Sequence, residues 1–361
     1  MSVHPSVGVE EELLLVDPES GEPVPSSAAV IAAALENQVD AALELTRSQV
    51  ELNTPVCHTS GELREHLTKM RAVLSQAAEA NGARLLAVAA PPAGRPELLV
   101  TAKTRYRDIA AKYGQLAREQ GVCGCHVHVE VPDRDTAVRV SNHLRPWLPT
   151  LLALTANSAI YLGHDTGFAS WRWIMWSRWP CSGLPPYFES AEHYDALVAT
   201  LIETGVILDE RMVYWDVRPS SHLPTIEVRV ADIPATVEET VLYATIVRAL
   251  VMTAIEAGPE IAIEPEVLRA AYVIAAREGL DGPALDVHRA RQITATQAID
   301  RLLAHIRPAL EDLGEWEYAD EKAHAILRKG NGAARQRMVF HHHHNIQEVL
   351  ALATRATTAT C

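Results

Sequence analysis

Four short segments of the 361-residue sequence carry ionisable side chains at alternate positions. They contain Glu10 and Glu12; His126, His128 and Glu130; Asp216 and Arg218; and Glu227 and Arg229. Successive side chains of a β-strand point to opposite faces, so each set would share one face while the intervening residues, mostly aliphatic, face a core. Four such strands would gather carboxylates, imidazoles and guanidiniums on one side of a sheet.

The residue types on these faces indicate metal chemistry. Taken singly, each strand also fits a solvated sheet face. However, none of the four sets contains a lysine, and Glu and His dominate. Carboxylates with an occasional imidazole suit Mg²⁺ or Mn²⁺. Clustered carboxylates repel one another unless a cation lies between them. Replacing any one of them should therefore reduce this repulsion in the metal-free protein, which should still fold.

Two further glutamates, Glu44 and Glu51, are harder to place because they are seven residues apart. That spacing puts them on opposite faces of a flat strand. They would converge only through a bend, a bulge or a helix, and otherwise they are plain surface residues.

Two other kinds of site receive less support. Cys123 and Cys125 precede His126 and His128 and could suggest a zinc hydrolase, but the cysteines and histidines of one strand would face opposite ways. The chain has no phosphate-binding P-loop and no dinucleotide fingerprint, and the glycine turn at 329–332 is typical of a connector. Any nucleotide must therefore be held by metal ions and arginines.

The surrounding pattern predicts an α+β fold. Strands are expected at 7–16, 84–90, 122–131, 213–218 and 225–231. Helices are expected at 60–81 and 236–257, with a buried helix rather than a membrane span at 146–163 and a helical region from 282 onward. Short strands separated by irregular helices favour α+β over a doubly wound parallel sheet.

Composition excludes some classes of function. A formal net charge of -14 argues against nucleic-acid binding, which needs a basic surface. The opening residues lack the parts of a secretory signal, and the five cysteines are odd in number and dispersed. We therefore expect a cytoplasmic protein with reduced thiols that does not bind membranes.

The motifs resemble those of the bacterial carboxylate–amine ligase family, also called glutamate–cysteine ligase type 2, which has the glutamine synthetase-like fold. The resemblance is carried, in order, by residues 8–12, 44–57, 124–129, 166–186, 214–232 and 330–337. It implies one catalytic domain over 1–361: a core at 7–257 with a curved, mostly antiparallel sheet and helices on its outer face, and a helical extension at 258–361 packed on it. The His341–His344 tetrad and the last 25 or so residues lie outside the resemblance.

The resemblance also assigns residues to roles. The implied metal ligands are Glu10, Glu12, Glu44, Glu51, His126 and Glu227. Arg229 would contact the transferred phosphoryl group, with Arg218 as a second catalytic arginine. His128, Arg229 and Arg335 would bind ATP, and Arg47, Arg172 and Arg178 would bind substrate.

The implied activity is an ATP-dependent ligation with Mg²⁺ or Mn²⁺ as cofactor. A glutamate-like carboxylate would be phosphorylated to an acyl phosphate and attacked by cysteine or another amine, with release of ADP and phosphate. Glu130 or Asp232 would accept the proton of the amine. A homodimer is expected. The alternative is a catalytically silent binding protein on the same fold.

Overall fold

The computed structural model describes residues 4–258 and 262–359. Its strands are β1 (Val7–Val16), β2 (Ala41–Leu43), β3 (Gln49–Asn53), β4 (Arg84–Leu86), β5 (Gly124–Glu130), β6 (Ile160–Tyr161), β7 (His164–Asp165), β8 (Ser182–Gly183), β9 (Tyr214–Trp215), β10 (Val217–Pro219), β11 (Thr225–Asp232), β12 (Pro283–Asp286) and β13 (Arg291–Thr294). Its helices are α1 (Ser27–Glu36), α2 (Ser60–Ala80), α3 (Thr104–Tyr113), α4 (Gln115–Arg118), α5 (Arg134–Leu144), α6 (Leu148–Thr155), α7 (Trp171–Trp176), α8 (Ala191–Glu203), α9 (Val237–Glu256), α10 (Pro265–Glu278), α11 (Ala295–Asp312), α12 (Trp316–Lys329), α13 (Gly332–His343) and α14 (Ile346–Thr357).

One large sheet organises the chain. Its strands follow the order β10-β11-β5-β1-β3-β2, and β4 also pairs with β1. Every pairing within it is antiparallel. The predicted α+β class with a mostly antiparallel sheet is confirmed.

The aliphatic face of this sheet packs on helices, as the alternation predicts. Val127 and Val129 of β5 and Val228 of β11 are fully buried there. Helix α9 contacts β1 and β5 of the sheet and also packs against α2, α5, α6, α11 and α12. It begins with a capping box between Thr236 and Glu239, which satisfies backbone N–H groups that its first turn leaves free. The apolar face is thus removed from water, and the ionisable face remains open.

Four predicted elements differ in the structure. The strand expected at 213–218 is divided into β9, which pairs with β8, and β10, which pairs with β11. The strand expected at 84–90 ends at Leu86. Beyond it, the Ala89 amide donates to the Asn157 carbonyl and the Ala89 carbonyl accepts from the Cys123 amide, so these groups do not pair with β1. The helix expected at 146–163 is only α6, because Asn157 turns the chain by binding the carbonyls of Ala87 and Ile233. The helical region from 282 onward instead begins with the β12–β13 hairpin, whose four-residue strands are too short to show a period.

The C-terminal helices pack against the rest of the chain. Helix α14 ends at Thr357, whose carbonyl oxygen accepts from Arg71 Nη1 at 3.2 Å and whose hydroxyl accepts from the Ala87 amide at 2.8 Å. Leu303 and Leu350 belong to the same hydrophobic core as the sheet. This shared core supports the single-domain organisation, which stays a prediction. Within the described ranges, no helix has the length and apolar character needed to cross a membrane.

Candidate active site

The sheet register brings the ionisable residues of neighbouring strands face to face. Glu10 pairs with His126, Glu12 with Glu51, and Glu227 with both His128 and Arg218. Directly opposed residues of antiparallel strands have side chains on the same face, with Cβ atoms about 4.5–5.5 Å apart. These residues and Arg229 line one cleft of about 340 Å³.

Glu12, Glu44 and Glu51 form the first donor group, with one oxygen from each carboxylate within 4.8 Å of the others. Glu44 follows β2 at the start of the turn to β3, so the chain reversal returns Glu51 to its side. Inside this turn the Thr46 hydroxyl donates to Gln49 Oε1 at 2.6 Å. The open question of Glu44 and Glu51 is thereby answered by a hairpin turn.

The first donor group carries unbalanced negative charge. Burial, then the charges of Glu51 and Glu12, raise the pKa of Glu44 well above its usual range. Burial, then the charges of Glu10 and Glu12, raise the pKa of Glu51 to about 7. Carboxylates held this close favour a cation between them, and an all-oxygen set fits Mg²⁺ or Mn²⁺. The residues present therefore fit a divalent metal.

Glu10, His128 and Glu227 form the second donor group, whose ligand atoms also lie within 4.8 Å of one another. The Thr225 hydroxyl is 3.0 Å from His128 Nδ1, which leaves the buried Nε2 facing Glu10 Oε1 at 3.3 Å. Burial disfavours the imidazolium of His128, but Glu10 and Glu227 outweigh it and raise its pKa. A ring nitrogen presented in this way suits metal coordination.

Glu227 differs from the carboxylates of the first group because two arginines neutralise it. Arg218 Nε donates to its Oε2 at 2.7 Å, and Arg229 Nη1 contacts its Oε1. Burial would raise its pKa, but Arg229 and Arg218 hold that pKa well below its usual range. Replacing any one carboxylate was expected to reduce charge repulsion in the metal-free protein. That expectation therefore does not extend to Glu227.

His126 lies between the two donor groups. Its Nδ1 is 3.1 Å from Glu10 Oε2 and 3.3 Å from Arg229 Nη1. Its Nε2 is buried without a hydrogen-bond partner and is 4.0 Å from Glu12 Oε1. Burial and the charge of Arg229 lower the pKa of His126, which favours the neutral ring. The geometry thus groups His128, rather than His126, with Glu10 and Glu227.

The remaining arginines named from the resemblance do not line the cleft. Arg47 is exposed. Arg178 pairs with Glu119 at 2.9 Å, and Arg335 pairs at 2.6 Å with Glu239, a residue of the α9 capping box.

Arg172 is buried beside the cleft. Its Nη2 approaches the Arg229 carbonyl oxygen at 3.5 Å, and its guanidinium lies over the Trp176 ring. A Cβ at Gly124 would collide with this guanidinium, so a larger residue there would displace Arg172. Arg172 therefore contacts both the strand that carries Arg229 and the Trp176 side of the cleft.

Three acidic residues singled out from the sequence also lie outside the cleft lining. Asp216 is buried at the break between β9 and β10, and burial raises its pKa to about 6. Glu130 is exposed and accepts from the amide and hydroxyl of Ser6. Asp232 is fully buried and accepts from Asn157, Ser158 and Ser170. These positions disfavour Glu130 and Asp232 as the proton acceptor.

One end of the cleft was missed from the sequence. It is an aromatic wall, defined by Tyr106, Trp176, Trp179 and Tyr214. The charges of Glu44 and Glu51 contribute, after burial, to a raised pKa of Tyr106, which places this wall beside the first donor group. The tryptophan-rich segment at 166–186 was a signal for it, although only its arginines were singled out.

Gln120 lines the cleft at this wall and has one unpaired donor. Its Oε1 accepts from Trp179 Nε1 at 2.9 Å, while its Nε2 is buried without a hydrogen-bond partner. An indole N–H only donates, so the amide cannot be flipped. Leaving a buried N–H unpaired costs about 1–3 kcal/mol, which a ligand oxygen would offset. No sequence pattern marked this residue.

The cysteines give no support to a zinc site. Cys123 and Cys125 are fully buried, and burial raises the pKa of both thiols well above its usual range. A zinc ligand must be a thiolate. Among the described residues, both groups that could hold an ion are those of the cleft.

Comparison with known proteins gives one consistent result. The model of glutamate-cysteine ligase family 2 matches residues 6–351. A protein of Mycolicibacterium smegmatis, provisionally named glutamate–cysteine ligase 2-3, is 50% identical over 99% of this chain and 100% of its own length. A Nocardia farcinica protein, provisionally named glutamate–cysteine ligase 2-1, is 53% identical over 99% of this chain and 94% of its own.

A solved structure shares the fold at low sequence identity. The glutamate–cysteine ligase of Francisella tularensis, determined in complex with AMP, superposes with a TM-score of 0.73 at 14% identity and covers 99% of this chain and 89% of that one. The family match also includes the histidine tetrad and α13, so the expectation that the last 25 or so residues lie outside the resemblance is wrong. The chain belongs to glutamate-cysteine ligase family 2 and is a ligase of that family.

Proposed function

We propose that this protein uses ATP and Mg²⁺ or Mn²⁺ to join a glutamate-like carboxylate to cysteine or another amine. The observation that carries the proposal is the pair of donor groups, side by side in one cleft with Arg218 and Arg229. The names of the relatives and the AMP complex of the Francisella tularensis enzyme support it.

The residues divide the chemistry between them. Glu12, Glu44 and Glu51 would hold one metal ion, and Glu10, His128 and Glu227 a second, with His126 between them. The ions would neutralise phosphate charge, which is the main demand of phosphoryl transfer. A substrate carboxylate oxygen takes the terminal phosphoryl group as ADP leaves. The amine then attacks the acyl carbon, phosphate leaves, and the amine loses a proton.

Arg229 meets the charge of the transferred phosphoryl group. Its guanidinium is 7% exposed, contacts Glu227, and has a buried Nε without a hydrogen-bond partner. Donors fixed in a buried site need no reorganisation as charge develops. Arg218 holds the opposite side of Glu227 and is in turn held by the Val213 carbonyl at 2.5 Å. Arg218 therefore keeps Glu227, and through it Arg229, in place.

The aromatic wall receives the organic substrate. It adjoins the first donor group, and Gln120 offers a buried N–H donor there. An acceptor oxygen on the substrate, such as a carboxylate, would complete this hydrogen bond. The homodimer remains a prediction. A cytoplasmic location is also proposed, since Cys57, Cys123, Cys125 and Cys181 are all free thiols.

A hydroxylamine assay tests the proposed function. Hydroxylamine should replace the amine and yield the hydroxamate of the carboxylate substrate, with one ADP and one phosphate per product. The measurement is hydroxamate colour together with ADP and phosphate release, across a set of carboxylates, with a chelator-treated blank that should be inactive. Formation of AMP and pyrophosphate would contradict the acyl-phosphate reaction. Absence of ATP cleavage with every carboxylate and amine tried would favour the silent binding protein.

Gln120→Glu should weaken binding of the organic substrate. The new carboxylate keeps an acceptor for Trp179 but replaces the N–H donor with a negative oxygen. Loss of a hydrogen bond to a charged group costs about 1.5–3 kcal/mol, so the KM of one organic substrate should rise roughly 10- to 100-fold. The KM of ATP should not change. Gln347→Glu is the matched control, since Gln347 is exposed. Equal KM values in the two variants would remove Gln120 from the substrate site.

A further inference from the structure

A second cavity, of about 420 Å³, shares no lining residue with the active-site cleft. It lies between the start of α6, the β12–β13 hairpin and the start of α11, and its size is typical of small-molecule sites. We call it the hairpin cavity. Its polar lining consists of Trp147, Thr150, Asp286, His288, Arg289 and Arg301.

The hairpin cavity concentrates positive charge in an acidic protein. One oxygen of Asp286, Oδ2, receives Arg289 Nη1 at 3.2 Å and Arg301 Nη1, and Arg291 Nε lies 3.9 Å from it. The Asp286 side chain is 4% exposed, whereas those of Arg289 and Arg291 are 62% and 60% exposed. Three guanidiniums thus share one buried carboxylate. The carboxylate orients them, and their remaining N–H groups can donate charge-assisted hydrogen bonds to an anion.

The wall beside these arginines is flat and aromatic. Trp147 stacks on His305 with 4.7 Å between ring centroids and 20° between planes, and His288 is 6.2 Å from Trp147 on a tilted plane. Leu285, Val287 and Ile293 complete the lining with apolar surface. A flat ring gains contact area and stacking energy on such a wall, at little cost in conformational entropy.

We propose that the hairpin cavity is a binding site for a planar ring that carries a single carboxylate or phosphate. The ring lies against Trp147 and the apolar residues of the hairpin. The anionic group contacts Arg289 and Arg301. This site is independent of the proposed ligase chemistry, because none of its residues lines the active-site cleft.

Calorimetric titration of the full chain tests this site, with 2-naphthoate and 2-naphthyl phosphate as probes. At least one should bind with a Kd below about 1 mM, and the uncharged 2-naphthamide should bind at least tenfold more weakly. The preferred anion identifies the natural chemistry as carboxylate or phosphate. Binding of the amide as tight as that of both anions would overturn the proposal, as would no binding of either anion.

Variants locate the bound probe. Arg289→Gln combined with Arg301→Gln should weaken probe binding at least tenfold, since each removes charge-assisted hydrogen bonds. Arg307→Gln is the control, because Arg307 lies on the same helix, pairs with Glu311 and does not line the cavity. Arg289→Gln alone guards against loss of folding, since this side chain is largely exposed. Equal affinity in the double variant and the control would overturn the site.

Discussion

Replacing Glu51 by Gln should slow ADP release by about 10²-fold or more, yet leave the metal-free protein at least as stable as before. The amide removes one charge of the first donor group, and at 1.36 kcal/mol per tenfold in rate a loss of several kcal/mol of metal binding and charge stabilisation gives this factor. Gln retains the acceptor for Asn53, which donates to Glu51 Oε1 at 2.8 Å.

The stability part follows from the pKa of Glu51. That pKa is raised to about 7, above the value of an unfolded chain, so its ionisation costs folding free energy once the pH exceeds the unfolded value. At about pH 8.5 the full cost is present, and Gln removes it. Urea unfolding in the presence of a chelator measures this difference.

Glu227→Gln should slow ADP release as strongly but lower the free energy of unfolding, on the order of 3 kcal/mol. Glu227 is buried and pairs with Arg229, which is buried, and with Arg218, which is partly buried, so its neutralisation leaves both cations short of a partner. The two variants thus share a defect in turnover and differ in the sign of their stability change.

Glu130→Gln is the control for both variants. Glu130 ends β5, is exposed and lies outside the cleft. The turnover of the Glu130→Gln variant should therefore stay within about twofold of that of the unaltered protein. Near-normal ADP release by Glu51→Gln or Glu227→Gln would refute a role of that donor group in turnover. Equal loss of stability in the two would refute the charge imbalance of the first group.

Glu11→Ala should lower the free energy of unfolding by about 3–5 kcal/mol. Glu11 lies between Glu10 and Glu12 but faces the core, where its two oxygens accept from Arg71 at 2.6 and 2.8 Å. Both side chains are 0% exposed. Truncation of Glu11 leaves a buried guanidinium without its counter-charge. Urea unfolding monitored by circular dichroism measures the loss.

One comparison variant sharpens this test. Glu311→Ala breaks the exposed Arg307–Glu311 pair and should cost only the 0–1 kcal/mol that is roughly typical of surface pairs. A Glu11→Ala variant as stable as Glu311→Ala would contradict the buried ion pair.

The sequence by itself determined which side chains share a face in β1, β5 and β11. It did not do so at 213–218, where the break between β9 and β10 separates Asp216 from Arg218. The two-residue period of a strand is a local property, so the pairs Glu10 and Glu12, His126 and His128, and Glu227 and Arg229 could be assigned without any knowledge of the fold. The residue types then indicated divalent metals. The motif resemblance supplied the family, which the comparisons confirm.

Only the tertiary structure decided which faces meet. The register that sets Glu12 opposite Glu51, and His128 opposite Glu227, depends on pairing between strands far apart in the chain. The return of Glu44 depends on a hairpin turn. The neutralisation of Glu227 by Arg218 depends on the pairing of β10 with β11, and that of Glu11 by Arg71 depends on a contact between residues 60 positions apart. These relations set the charge of each carboxylate.

The arginines show the limit of sequence reasoning most directly. Arg218 and Arg229 line the cleft, whereas Arg47, Arg172, Arg178 and Arg335 do not. A guanidinium is long and flexible, and every one of these residues lies in or near a family motif. Whether it reaches the cleft or pairs elsewhere, as Arg335 does with Glu239, depends on which carboxylates the folded chain places beside it. Gln120 became visible for the same reason, since an unpaired donor exists only once its surroundings are packed.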